Sequence, residues 1–329
     1  MSYLQIFCLV LLANIVLLVE ANTYTNPIVP SSPDPWMTYY KGYYYFTATT
    51  GDNTVRIRKS KTLDGLKSAP QQIVFNDGLH NTWAPEFHQW NGRWYLYYTA
   101  GRTADIMTQR LHVAESAGDD PMGPYHFKAD LVGSGDNTLE VDANLMTIKN
   151  KLYLLGAFNN NGQQHIFIKP MINPWTASAE KSFLAAPTMN WEKAGFPVNE
   201  APEGLHHNNR TYVVYSASSC STVDYSLGLL EFVGTDPLNA GHWHKFPQPI
   251  FRRSDRTHVY GPGHNGFFTS PNGQESWIVY HGNDKNTGNM CTKDGRTARA
   301  QKFTWNADGT PNFGEPQPAH VALTAPAGE

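Results

Sequence analysis

Charge is scarce in this chain. Asp, Glu, Lys and Arg make up 16% of its 329 residues, and 25 basic against 28 acidic side chains leave a formal charge of −3. No run of Lys or Arg occurs, which argues against a nucleic-acid or anionic-membrane surface, since both need clustered positive charge. Cysteine is scarcer still, with Cys8, Cys220 and Cys291 the only three. There is no CxxC, HExxH or EF-hand pattern, so no dedicated metal motif is written in the chain. Long helical stretches are missing as well, because 27 Gly and 22 Pro interrupt every segment long enough to form one.

Only one apolar run is long enough to raise the question of a membrane. The N-terminus reads MSYLQIFCLVLLANIVLLVEANTY, uncharged from Tyr3 to Val19 and followed by Val19-Glu20-Ala21. That pattern predicts a secretory signal over residues 1–21, cut after Ala21. The missing Lys or Arg ahead of the run leaves an uncleaved anchor as the alternative. Cleavage would remove Cys8 and leave Cys220 and Cys291 in an oxidising compartment, as one disulfide or as two buried thiols. The mature chain, residues 22–329, is then expected to be a secreted monomer, free of membrane and nucleic acid. Asn209-Arg210-Thr211 is a glycosylation sequon.

Aromatic residues are abundant at 13%, including 9 Trp and 17 Tyr. Flat rings suit sugar faces, but they also pack strands. Their distribution is repetitive. Five aromatic or β-branched runs, KGYYYFTAT, NGRWYLYYTA, KNKLYLLGAF, NNRTYVVYSA and QESWIVYHG, each follow a hairpin-turn signal. Ahead of each lies another extended segment opening on a polar residue: Asp34, Glu86, Asp142, Glu200 and His264, at intervals of 52, 56, 58 and 64 residues. Repeats of this length, strand-rich and without helical period, predict an all-β fold, a five-bladed β-propeller filling residues 22–329. The opening residues of the five innermost strands would then converge at one mouth of the central channel.

Carboxylates meeting in a pocket are what acid–base chemistry at a glycosidic bond requires. One is ionised to activate water and one is protonated to donate to the departing oxygen. A third acid would help hold the donor's proton by like-charge repulsion. Each also has a plain alternative: Asp34 opening a turn before Pro35, Asp142 bonding nearby backbone, Glu86 closing a network at a blade edge, and Glu140 in solvent.

The motifs SSPDPWM, WAPEFHQWNGRWYLYY, EVDANLM, VNEAPEGL and YGPGHNGF resemble, in order and spacing, those of glycoside hydrolase family 43, over about Asn26 to Pro316. The resemblance implies an inverting hydrolase on a five-bladed propeller. It casts Asp34 as general base, Glu200 as general acid, and Asp142 as the residue that tunes and orients the acid. In NEAPEG it selects Glu200 over Glu203. A weak physical argument agrees: Pro202 favours extended backbone at Ala201, which would turn the two glutamates to opposite faces.

His264 is expected near the acids or supporting an axial Ca²⁺ through water, although no metal or other cofactor is expected to be required. Trp36 and Trp83 are candidate sugar platforms, and core packing is the alternative for each. Of Arg296 and Arg299, Arg299 is favoured as a pocket residue, because it leads into a strand-like run.

The branch most resembled is the exo-acting α-L-arabinofuranosidases, with an arabinose-containing polysaccharide or oligosaccharide as partner. Endo-arabinanases and β-xylosidases are the alternatives. Typical β-xylosidases of the family carry a further C-terminal β-sandwich not expected here. Endo or exo action would turn on mouth loops such as residues 103–109 and 284–295. Two other classes rank lower. A non-catalytic sugar-binding propeller would have lost an acid, and a metal-dependent phosphoester hydrolase would need clustered His, Asp and basic residues.

Overall fold

The computed structural model describes residues 22–131 and 138–329. The expected signal segment, 1–21, lies outside the described residues. Five antiparallel sheets form in chain order, four of four strands and one of five. The inner strands are Trp36–Tyr40, His80–Trp90, Glu140–Ile148, Asn199–His207 and Tyr260–Thr269. The second strands are Tyr43–Thr47, Arg93–Gly101, Lys151–Asn160, Arg210–Ala217 and Ser276–Asn283, reached through the hairpin turns read from the sequence. At those turns Gly42 (φ 84°), Gly92 (77°), Asn150 (63°) and Asn209 (63°) take the left-handed backbone that Gly and Asn tolerate. The fold is the five-bladed β-propeller expected, and its sheets are blades I to V. Helix among the described residues is limited to four short 3₁₀ turns.

The core is divided rather than central. Five clusters of buried apolar side chains fill the five seams, between blades I and II, II and III, III and IV, IV and V, and V and I. This explains the repeated aromatic runs: large rings on second strands fill the wedge between twisted sheets, each worth about 1.5–3 kcal/mol of burial. Buried tyrosine hydroxyls find acceptors across the seams, as Tyr97 does on the Pro174 carbonyl (2.6 Å) and Tyr212 on that of Gly309 (2.7 Å). The ring closes where Thr23–Thr25 pairs with Ala322–Thr324. The Ile28 N–H also bonds the Ala298 carbonyl in blade V (2.8 Å).

One irregularity repeats in all five blades and shapes the mouth. Asp34 (φ 55°), Ala84 (44°), Asp142 (61°), Ala201 (48°) and His264 (49°) all have left-handed backbone. In blades II to V each sits at a register break of the inner strand, and in blade I it lies two residues ahead of that strand's first residue. A bulged residue drops out of the ladder, so its N–H needs another acceptor. Four of these N–H groups donate to the preceding blade: Ala84 to Thr49 Oγ1 (2.8 Å), Asp142 to Thr99 Oγ1 (3.2 Å), His264 to Ser216 Oγ (2.7 Å) and Asp34 to His281 Nδ1 (3.1 Å). For blade IV the equivalent acceptor position, on the second strand of blade III, is Ala157, whose side chain has none to offer. The Ala201 N–H goes instead to Asp142 Oδ2 (2.9 Å).

The bulges correct the repeat read from the sequence. Glu86 lies two residues past the ring position, and Glu200 one residue before it. Ala201 is not extended, so the argument made for it from Pro202 fails. The bulge itself sends Glu200 and Glu203 to different places. Glu140 is not in solvent either. It is 1% exposed and paired with Lys169 Nζ at 2.9 Å.

Candidate active site

The inner strands open onto a cavity of about 300 Å³. Asp34, Asp142, Glu200, His264, Trp83 and Arg296 are among its lining residues. Asp34, Asp142 and His264 come from the bulge positions of blades I, III and V. Glu200 precedes the bulge of blade IV.

Asp34 is held on all sides. Thr49 Oγ1 donates to its Oδ2 (2.7 Å), and Arg296 Nη1 to its Oδ1 (2.7 Å). His264 Nδ1 lies 3.3 Å and His281 Nδ1 3.5 Å from Oδ1. Burial by itself would raise this carboxyl, but Arg296, then His264 and Thr49, outweigh it and hold the group well below the usual carboxylate range. Because His281 Nδ1 accepts the Asp34 N–H, that ring carries its proton on Nε2 and is neutral. Burial, then the charge of Arg296, holds its pKa well below the ordinary value.

Glu200 is displaced the other way. Burial is the largest cause and the charge of Asp34 adds to it, while the Tyr225 hydroxyl, donating at 2.8 Å, and Arg296 oppose them. The balance pushes Glu200 up to about 7. Asp142 is raised well above the carboxylate range, by burial first, then by Glu200, then by Asp34. Glu200 acts on it more than Asp34 does, and its Oδ2 grips the backbone of Ala201, the residue next to Glu200. The arrangement can therefore present an ionised Asp34 and a protonated Glu200 to the same cavity.

A second layer lies deeper on the axis, formed by residues two past each bulge. Asn144 Nδ2 donates to Glu86 Oε2 (3.0 Å) and Glu203 Oε2 (2.9 Å), and His88 Nε2 is 2.9 Å from Glu86 Oε2. Burial first, then the charge and hydrogen bond of Glu86, raise Glu203 well above its ordinary value and favour its protonated form. Glu86 is thus structural, as one reading had it, but beside the axis rather than at a blade edge.

Two sequence expectations are corrected. Arg299 is fully buried, bonded to Asp284 and to the Gln317 carbonyl (3.3 Å), and does not reach the cavity. Arg296 does. Second, Trp36 is 8% exposed and packs edge-on to Phe87 with centroids 4.7 Å apart, so it belongs to the seam between blades I and II. It sits over Gly266, where an added Cβ would come within 3.0 Å of its ring. Trp83 lines the cavity as expected.

Tyr225, Thr49 and His281 went unnoticed in the sequence. One signal was available for Tyr225 and Arg296. The inner strand starts at the mouth and the second returns to it, so the residue just ahead of the third strand lies there too. Tyr225 precedes Ser226–Phe232 and Arg296 precedes Thr297–Trp305. Cys220 and Cys291 form a disulfide, and both line the cavity. Among the described residues no three His, Cys, Asp or Glu side chains gather to hold a metal, and His264 turns Nδ1 to Asp34. The donor set for an axial Ca²⁺ is not assembled around His264 among the described residues.

Similarities to known proteins agree with this geometry. The chain is 36% identical to an extracellular exo-α-(1→5)-L-arabinofuranosidase of Streptomyces avermitilis, over 89% of this chain and 64% of that protein. It is 34% identical to a like-named protein of Streptomyces chartreusis, over 78% of this chain and 82% of that one. The crystal structure of an α-L-arabinofuranosidase from Lactobacillus brevis superposes with a TM-score of 0.85 at 32% identity, covering 91% of this chain and 98% of that one. The chain spans about two thirds or less of the Streptomyces avermitilis relative and of an α-L-arabinofuranosidase of Humicola insolens, 64% of each. The model of the glycosyl hydrolases family 43 matches residues 24–311, and the chain belongs to that family.

Proposed function

We propose that the protein is an exo-acting α-L-arabinofuranosidase that inverts the anomeric centre, releasing arabinose from arabinan or arabinoxylan ends and side chains. The observation that carries this reading is the opposed displacement of Asp34 and Glu200 across one small cavity. About 300 Å³ is at the low end for ligand sites and suits one sugar residue rather than a length of chain. The names of the Streptomyces relatives support both the sugar and the exo action.

In this mechanism Asp34, kept ionised by Arg296, takes a proton from a water on one face of the ring. Glu200, kept protonated by burial and by Asp34, gives its proton to the glycosidic oxygen on the other face. Asp142 holds the backbone beside Glu200. His264 and Thr49 fix the Asp34 carboxylate, and Trp83 offers an apolar face to the sugar. The protein acts outside the cell; its disulfide suits an oxidising compartment, and the Streptomyces relatives are named extracellular.

The test is hydrolysis of nitrophenyl α-L-arabinofuranoside and nitrophenyl β-D-xylopyranoside, with the first-formed anomer followed by proton NMR. Cleavage of the arabinoside to inverted sugar is expected, with Asp34→Asn strongly impaired and Glu200→Gln much less so, because the nitrophenolate leaves with little protonation. A retained anomer would sink the mechanism. Cleavage of the xyloside alone would move the specificity.

A further inference from the structure

Cys220 and Cys291, 71 residues apart, are joined in a disulfide that forms part of the cavity wall. They lie in the loops between second and third strands of blades IV and V. Each loop ends on a residue that touches one of the two carboxyls, Tyr225 on Glu200 and Arg296 on Asp34. The two loops are anchored unequally.

The blade IV loop is built into the body. Ser219 N–H donates to the Ala194 carbonyl (2.9 Å), and Ser218 Oγ to that of Trp191 (2.7 Å). Tyr225 is 1% exposed and stacks on His281 with centroids 5.5 Å apart. The blade V loop is exposed from Asp284 to Asn289 and again from Thr292 to Asp294. Its bonds to Thr292 and Asn289 are internal. Across to the blade IV loop run the disulfide and one backbone bond, Met290 N–H to the Ser221 carbonyl (3.2 Å).

The backbone of Arg296 is fixed, its carbonyl accepting from the Ser32 N–H (2.9 Å), but its side chain is sparsely held. Its Nη1 bonds Asp34, while its buried Nε has no hydrogen-bond partner among the described residues. Ordering an exposed loop and a long side chain on few contacts costs conformational entropy that a cross-link at the loop removes in advance.

We propose that the Cys220–Cys291 disulfide is a positioning element of the active site, fixing the blade V loop against blade IV so that Arg296 stays on Asp34. This rests on the reading that Asp34 and Glu200 carry the reaction. The cross-link acts through Arg296, so its removal should imitate removal of the guanidinium.

The experiment is reduction of the folded protein by a water-soluble phosphine, which splits the S–S bond into two thiols as the phosphine takes oxygen from water to become its oxide. Both half-cystines are half-buried at the cavity and open to the reagent. The rate kcat/KM on nitrophenyl α-L-arabinofuranoside is measured from pH 3 to 9, for native protein and for Arg296→Met, oxidised and reduced. Thiol titration and circular dichroism accompany each sample.

Reduction should lower kcat/KM of the native protein by about tenfold below neutral pH and move its acid limb upward, while changing Arg296→Met by less than about twofold, the non-additivity of groups that act as one unit. Reduced native protein with an unmoved profile overturns the proposal. So does an equal loss in Arg296→Met, or loss of the native dichroism, which would assign the cross-link to folding. If the oxidised protein cleaves no arabinofuranoside, the proposed function fails instead. The same four samples are then compared by urea unfolding against pH, where the proposal still requires reduction and Arg296→Met to be non-additive.

Discussion

Replacing Arg296 by Met removes the charge nearest Asp34 while keeping a side chain of similar length. The guanidinium and carboxylate meet at 2.7 Å with side chains only 13% and 11% exposed, so solvent screens them little. An opposite charge at this range moves a carboxyl pKa by about 1–3, which is about 1.4–4 kcal/mol. The sign follows from the depressed native-state pKa of Asp34. Its contribution to stability is present above the pKa of the unfolded chain and fades as pH falls through the folded value. Without Arg296 that depression shrinks, so Arg296→Met should be less stable at neutral pH by about 1.4–4 kcal/mol, with the gap closing in acid. The acid limb of kcat/KM, which reports ionisation of the base in free enzyme, should move up by about 1–3 pH units. Urea unfolding at several pH values and a pH–rate profile check both. An acid limb that stays in place, with stability lost equally at every pH, would show that Arg296 does not set the charge of Asp34.

Two further predictions concern the acid and its support. Tyr225→Phe removes a hydroxyl that favours the ionised form of Glu200, so the alkaline limb of kcat/KM should shift to higher pH and kcat should fall; a downward shift would reverse the assigned sign. Glu203→Gln replaces a protonated carboxyl by an amide that can still hydrogen-bond, and should change stability by less than about 1 kcal/mol. Glu203→Ala, which takes one buried partner from Asn144, should cost about 1–3 kcal/mol by urea unfolding, and equal losses for the two variants would contradict a protonated Glu203.

The propeller was legible because its unit is local. A Gly- or Asn-bearing turn followed by an aromatic strand is written within ten residues, and it recurs five times. Asp34, Asp142 and His264 fell on the correct ring for the same reason. Glu86 and Glu200 slipped because a bulge adds one residue with left-handed backbone, and strand alternation carries no mark of that, least of all at Ala84 and Ala201. The choice of Arg299 failed because strand character was taken as the guide. Three residues into a third strand, a side chain has already left the mouth and enters the seam. Trp36 misled because it stands two residues after Asp34, which lines the cavity, while the strand turns Trp36 itself toward Gly266. The role of Asp142 on the Ala201 backbone depends on Ala157 lacking an acceptor, a contact between blades that no single unit reveals.

The central claim is that Glu200 supplies the proton to the departing sugar. It is tested most directly by the loss of kcat/KM in Glu200→Gln on two substrates that differ in leaving group. A nitrophenolate needs little protonation and an arabinose hydroxyl needs full protonation. The account predicts a loss of about a hundredfold or more on a linear arabino-oligosaccharide and a much smaller one on nitrophenyl α-L-arabinofuranoside. Equal losses on both would mean that Glu200 positions the sugar and that the proton comes from another group.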